Sequence, residues 1–128
     1  MKLGNLMFKK NVASILAELE PIMLKMKAYN PTNKKEIESF VQDYYWSSNK
    51  FSEILKKLLK LEAPPTLEET YEELCDSIIG IITAIEVNAR SLDVKNGVII
   101  QNLRDIGEEL MESEFSALKQ NLNIILSN

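Results

Sequence analysis

Apolar residues recur at alternating intervals of three and four along four successive stretches of the chain. This spacing puts one continuous apolar stripe on each of four α-helices. In the first stretch the stripe is Phe8, Val12, Ile15, Leu19, Ile22 and Met26. The second carries Ile37, Val41, Tyr44, Ser48, Phe51, Leu55 and Leu58, and the third Leu67, Tyr71, Leu74, Ile78, Ile81 or Ile82, Ile85, Ala89 and Leu92. Ile99, Leu103, Ile106 and Leu110 open the fourth, which continues with Met111, Phe115, Leu118, Leu122 and Ile125 and so drifts out of a strict heptad. No strand-like alternation or internal repeat is read from the chain, and the expected class is all-α.

Asn30-Pro31-Thr32, Ala63-Pro64-Pro65 and Asn96-Gly97 interrupt the stripes. A residue before proline is pushed out of the helical region, and Asn-Gly is a stop signal. Helices are therefore expected at about 5–29, 33–62, 66–93 and 98–126. Asn33 with Glu36 and Thr66 with Glu69 have capping-box spacing. Lys56, Lys57 and Lys60 end the second helix, where cations suit the helix dipole. Short connections between long helices make sequence neighbours antiparallel, so the predicted architecture is an antiparallel up-down-up-down four-helix bundle, one domain over 1–128. Two points stay open. Pro21 lies opposite the first stripe and is expected to kink that helix, with a break into two short helices as the alternative. Ser47-Ser48-Asn49 either continues the second helix or splits it, because these side chains compete for backbone hydrogen bonds.

Composition narrows the chemistry. The 128 residues include no histidine and a single cysteine, Cys75. That removes the usual ligands of zinc sites, the nucleophile–base pairs and the proton shuttles that work near neutral pH. A di-metal centre in a bundle needs Glu-x-x-His pairs, and the Glu groups at 68, 69, 72, 73 and 108, 109, 112, 114 fall mostly on polar faces. Gly4, Gly80, Gly97 and Gly107 are isolated and form no phosphate-cradling loop. The expectation is a protein that is not an enzyme, with no catalytic residue, no metal and no cofactor. Cys75 beside the third stripe reads as a buried, inert thiol. The apolar window Ile78 to Val87 is about half the roughly 20 residues a membrane span needs, so no transmembrane segment is expected. Lys9 and Lys10 cut short the N-terminal apolar patch, no disulfide is available, and a cytoplasmic protein is expected.

The linker Leu61-Glu62-Ala63-Pro64-Pro65-Thr66-Leu67-Glu68-Glu69 between two amphipathic helices resembles hairpin linkers of small bacterial helical proteins. The resemblance covers the linker alone and implies no site.

Three surfaces stand out. Five of the nine aromatic residues lie between Phe40 and Phe51, and Trp46 falls about 180° from the stripe that begins at Ile37. Trp46 is therefore expected to face outward among Lys50, Lys57 and Lys60, as an anchor for another protein. If the Ser-Ser-Asn stretch breaks the helix, the same residue turns back into the core. An acidic chain without arginine on this face makes nucleic acid the weakest partner. Residues 1–64 hold eleven lysines and seven acids, residues 65–128 four basic residues and twelve acids. This asymmetry can steer a charged partner. The second surface is on the third helix, which is apolar nearly all round. Gly80, Thr83, Ala84 and Val87 lie away from its stripe, and a symmetric dimer packing this helix on its own copy is expected to cover them. The third is a small-molecule or lipid pocket between helices near Phe40, Tyr44 and Phe51, the alternative to macromolecular binding. An enzyme of unknown type ranks third.

Overall fold

The computed structural model describes residues 2–25 and 31–127. Its elements are α1 (Lys2–Leu16), α2 (Leu19–Lys25), α3 (Lys34–Leu59), a 3₁₀ turn (Pro65–Leu67), α4 (Glu68–Arg90), a two-stranded hairpin of β1 (Leu92–Asp93) and β2 (Val98–Ile99), and α5 (Gln101–Ser127). Helices thus dominate, as the periodicity predicts, and they pack as a bundle. Among the described residues no helix is long and apolar enough to cross a membrane.

The first helix departs from expectation. It does not run through with a kink at Pro21 but breaks at Ala17–Glu18, four residues upstream, into α1 and α2. Proline has no N–H to give the carbonyl four residues back, and its ring crowds that carbonyl, here that of Ala17. The backbone tightens instead: Glu18 N–H donates to Ile15 C=O at 3.1 Å and Glu20 N–H to Ala17 C=O at 3.4 Å. Most of the stripe survives the break: Phe8, Val12, Leu19 and Ile22 are buried, while Ile15 is only partly buried and Leu16 beside it is buried instead. Met26 and the end of the expected helix, 26–29, lie outside the described residues, as does Asn30.

Asn33 caps α3, its Oδ1 accepting the Glu36 N–H at 2.9 Å. The Glu36 carboxylate reaches back one residue further than a capping box requires and accepts the Thr32 N–H at 2.6 Å and hydroxyl at 2.9 Å. These bonds, the backbone one first, hold its carboxyl below the usual range. The helix runs unbroken through Ser47-Ser48-Asn49, with Ser47 and Ser48 buried. Packing of the same stripe on either side, at Tyr44 and Phe51, overrides the local preference of these residues.

The Thr66–Glu69 capping box does not form, since no side chain caps the 3₁₀ turn or α4. Pro65 starts a tight turn that needs no N–H from it, Leu67 N–H donates to Pro64 C=O at 2.9 Å, and Leu67 is buried. Glu68 and Glu69 still stand at the positive end of α4.

α4 is the central helix. Leu74, Ile78, Ile81, Ala84 and Ile85 have no exposed surface. On one flank the Tyr71 hydroxyl donates to the Leu58 carbonyl of α3. On another, Gly80 lies against Glu114 and Asn88 against Gly107, so the α4–α5 contacts run in opposite senses along the two helices. This corrects the reading of Gly80, Thr83, Ala84 and Val87 as one outward face. Ala84 is completely buried and Gly80 and Val87 are half-buried, leaving Thr83 exposed. The chain's own helices cover most of the apolar girdle, while Glu72, Asp76, Ile79, Thr83, Glu86 and Arg90 leave one stripe of α4 exposed.

The hairpin is a second correction, because the sequence predicts no strand. Leu92 pairs with Ile99 and Asp93 with Val98. Gly97 takes φ 66°, a conformation that favours glycine. The Asp93 carboxylate accepts the Asn96 amide at 2.7 Å and its backbone N–H at 3.2 Å, and these bonds lower its pKa, the side-chain bond most.

Two substitutions test this packing. A Cβ on Gly107 would sit 2.1 Å from Asn88 Oδ1 and 3.2 Å from the Asn88 backbone nitrogen. Gly107→Ala should therefore destabilise by about 1–3 kcal/mol in urea unfolding, even though alanine is the better helix former; a gain in stability would refute the close approach. The buried Ser47 Oγ has no hydrogen-bond partner. Ser47→Ala should stabilise the fold by about 1 kcal/mol in the same assay, and a loss of that size would show that the hydroxyl is satisfied.

Candidate functional site

The outward anchor is where the helix geometry puts it. Trp46 lies on α3 with 37% of its surface exposed, and Lys50 Nζ stands 5.8 Å from the ring centroid. With Pro21 and Ile22 of α2, and with Ile54, they line a groove of about 350 Å³. Its surroundings are less basic than the spacing of lysines suggests. Lys57 is paired with Glu18 at 2.7 Å and Lys50 with Glu53 at 3.5 Å, and Glu18 and Glu53 both border the groove. Lys60 is exposed at the C-terminal cap of α3. The structure therefore joins Trp46 with Lys50, ties Lys57 to an acid and leaves Lys60 at the helix end.

The predicted aromatic pocket is divided differently. Phe51 is fully buried and meets Phe115 edge-on at 6.2 Å, so it is core. Phe40 is half-buried and does not line the cleft described next. Tyr44 does. It stands with Asn88, Arg104, Met111 and Phe115 around a cleft of about 270 Å³, with Met23 on one side and Glu108 and Glu112 on the α5 side. A second cavity of about 490 Å³ shares Met23 and Phe115 with the first and is walled by Leu16, Leu19, Leu118 and Leu122. The first lies among α3, α4 and α5 and the second between the α1–α2 segment and α5, and they adjoin at Met23 and Phe115 as one trough along α5.

Asn88 and Arg104 were not singled out from the sequence, yet a signal for them was present. Leu67, Leu74 and Ile81 step by seven along α4, and the next step is Asn88. Ile125, Leu118 and Met111 step back by seven along α5, and the next is Arg104. Both polar residues thus occupy core positions in apolar repeats, and both are buried, at 5% and 3% exposure. Asn88 Oδ1 has no hydrogen-bond partner. Arg104 Nε meets Glu108 Oε1 at 3.3 Å, with the glutamate half exposed to water. Burying a guanidinium costs several kcal/mol unless it is paired and hydrogen-bonded, and a buried ion pair is seldom a net source of stability.

The single cysteine lies in the core. Burial is the largest influence on Cys75 and pushes its thiol pKa up, with Asp76 and Glu72 adding to the rise against a hydrogen bond with Tyr71. Burial, and then Cys75, likewise raises the Tyr71 phenol. No group of three or more metal-ligating side chains occurs among the described residues. Cys75 in the folded protein should react with iodoacetamide at pH 8 at least about tenfold more slowly than in urea, since the thiolate is the nucleophile. Equal rates would place the thiol at the surface.

Comparisons of the chain with protein-family models, with curated proteins and with solved structures gave no match.

Proposed function

We propose that the chain, an up-down antiparallel bundle, acts by binding rather than by catalysis, and that it holds a small apolar or amphiphilic molecule in the trough along α5. One observation carries this reading: two apolar repeats are broken by polar residues, Asn88 and Arg104, which line the same cleft. A core gains nothing in stability from such replacements, and departures from an otherwise consistent pattern concentrate at functional sites. The composition of the cleft, aromatic and thioether walls with a few polar groups, is that of small-molecule sites.

A second reading is favoured by a different observation. The exposed indole of Trp46, with Lys50 over its ring, offers a docking point for a partner protein, a second copy of the chain included. The acidic C-terminal half would then set charge selectivity.

Met111 lines the cleft, and Met111→Trp should fill it. A neutral solvatochromic dye such as Nile red should bind the unmodified protein at one site and bind the variant at least about tenfold more weakly, with helicity by circular dichroism unchanged. Undiminished binding in a folded variant would overturn the cleft reading. Protection of Trp46 emission by the dye would move the site to the α2–α3 groove.

A further inference from the structure

The trough changes character in one direction along α5. Arg104 stands in the cleft at one end, while the second cavity is walled mainly by Leu16, Leu19, Leu118 and Leu122. Leu122 lies 18 residues beyond Arg104, a helical rise of about 27 Å. A cation thus stands in a cleft with polar groups, and a mainly apolar cavity, with Glu20 and Lys119 at its edge, adjoins that cleft. Lys119, the other basic residue along the trough, is exposed.

We infer that the trough takes a single-chain carboxylate, a long-chain fatty acid in its free form, with its head on Arg104 and its hydrocarbon chain between the α1–α2 segment and α5. This inference rests on the cleft reading above. The guanidinium of Arg104 is buried and its Nε is met by the Glu108 carboxylate. A planar carboxylate is the group that matches a guanidinium fork, and a ligand head can take the place of Glu108 there without changing the chemistry of the pair. Glu108, already half in water, then turns fully into solvent. The exchange is opposed by charge, because Glu108 and Glu112 both border the cleft. That opposition gives the proposal a sign: neutralising Glu108 must strengthen carboxylate binding, whereas at a site for cationic ligands it would weaken it. At about 490 Å³ the apolar section is the size of a site for one small ligand, and each methylene buried there raises affinity about fourfold.

Dodecanoate and dodecanol, both below their aggregation limits, separate the head from the tail in isothermal titration calorimetry. The unmodified protein should bind dodecanoate about tenfold or more tighter than dodecanol, the difference that one charged hydrogen-bonded pair makes. Glu108→Gln should tighten dodecanoate several-fold and leave dodecanol unchanged. Arg104→Met, which replaces a buried cation by an apolar side chain of similar length, should abolish the preference and keep dodecanol binding. Equal affinity for both ligands in the unmodified protein would overturn the head-group assignment while the cleft reading stands. If neither ligand binds, both the head-group assignment and the cleft reading are overturned. Since the preference and the Glu108→Gln effect are read without the Arg104 variant, the inference is falsifiable even if that variant does not fold.

Discussion

α4 buries more residues than α3 or α5, and the arrangement of the other elements follows from how its flanks are covered. Glu72, Asp76, Ile79, Thr83, Glu86 and Arg90 keep one stripe of it in water, and the apolar faces beside that stripe must be buried by other helices. α3 takes one flank through Tyr71 and Leu58, and α5 takes another by laying Gly107 against Asn88. Both approaches use small or specially placed groups, because the helices could not come so close with ordinary side chains between them. With those flanks occupied, the N-terminal segment packs on α3 and on the remaining face. Phe8 meets Tyr71 edge-on at 4.9 Å, and Glu18 reaches Lys57. Between this segment and α5 the apolar section of the trough remains.

The same geometry explains why polar side chains at core positions matter. Asn88 and Arg104 sit at one end of the α4–α5 contact, close to the hairpin, while Leu74, Ile78, Leu118 and Ile125 fill the rest with aliphatic packing. The aliphatic end supplies the stability, at roughly 1.5–3 kcal/mol for each large side chain fully buried. The polar end draws on that stability without adding to it. This division between a supporting region and a costly one is the expected layout of a binding protein that preorganises its site on rigid helices.

Much of this was legible in the residues. Helix class, the turn at Pro64-Pro65 and the Asn33 cap depend on local chemistry, and they were read from local chemistry. The outward direction of Trp46 followed from counting 100° per residue along a helix that the buried serines do not break. Other features depend on distances that periodicity does not contain. Which face of α4 meets α5 is set by the close fit at Gly107, which looks like any isolated helical glycine in the sequence. Arg104 was hidden because the stripe was followed forward from Ile99, where Leu103 and Ile106 suggest a face that proves half-buried or exposed. The hairpin strands are two residues each, too short to show alternation, although Asn-Gly between Leu92 and Val98-Ile99 is a hairpin signal. Thr66 had the right spacing for a cap, but the proline beside it committed the backbone to a tighter turn.

The hairpin between α4 and α5 also orders the assembly of the molecule in time. Closing a loop costs entropy that grows with the logarithm of its length, about 0.6 kcal/mol for each doubling. The turn held by Asp93, Asn96 and Gly97 brings Asn88 to Gly107 across a short connection, and the two helices can then zip together residue by residue toward Ile125. The approach of the N-terminal segment to α5 has no such advantage, since Leu16 and Leu19 come to face Leu118 and Leu122 across the second cavity only after nearly the whole chain has been drawn together. The second cavity thus lies between two elements whose approach carries a large loop-closure cost, and a ligand held there would strengthen that pairing in proportion to its affinity.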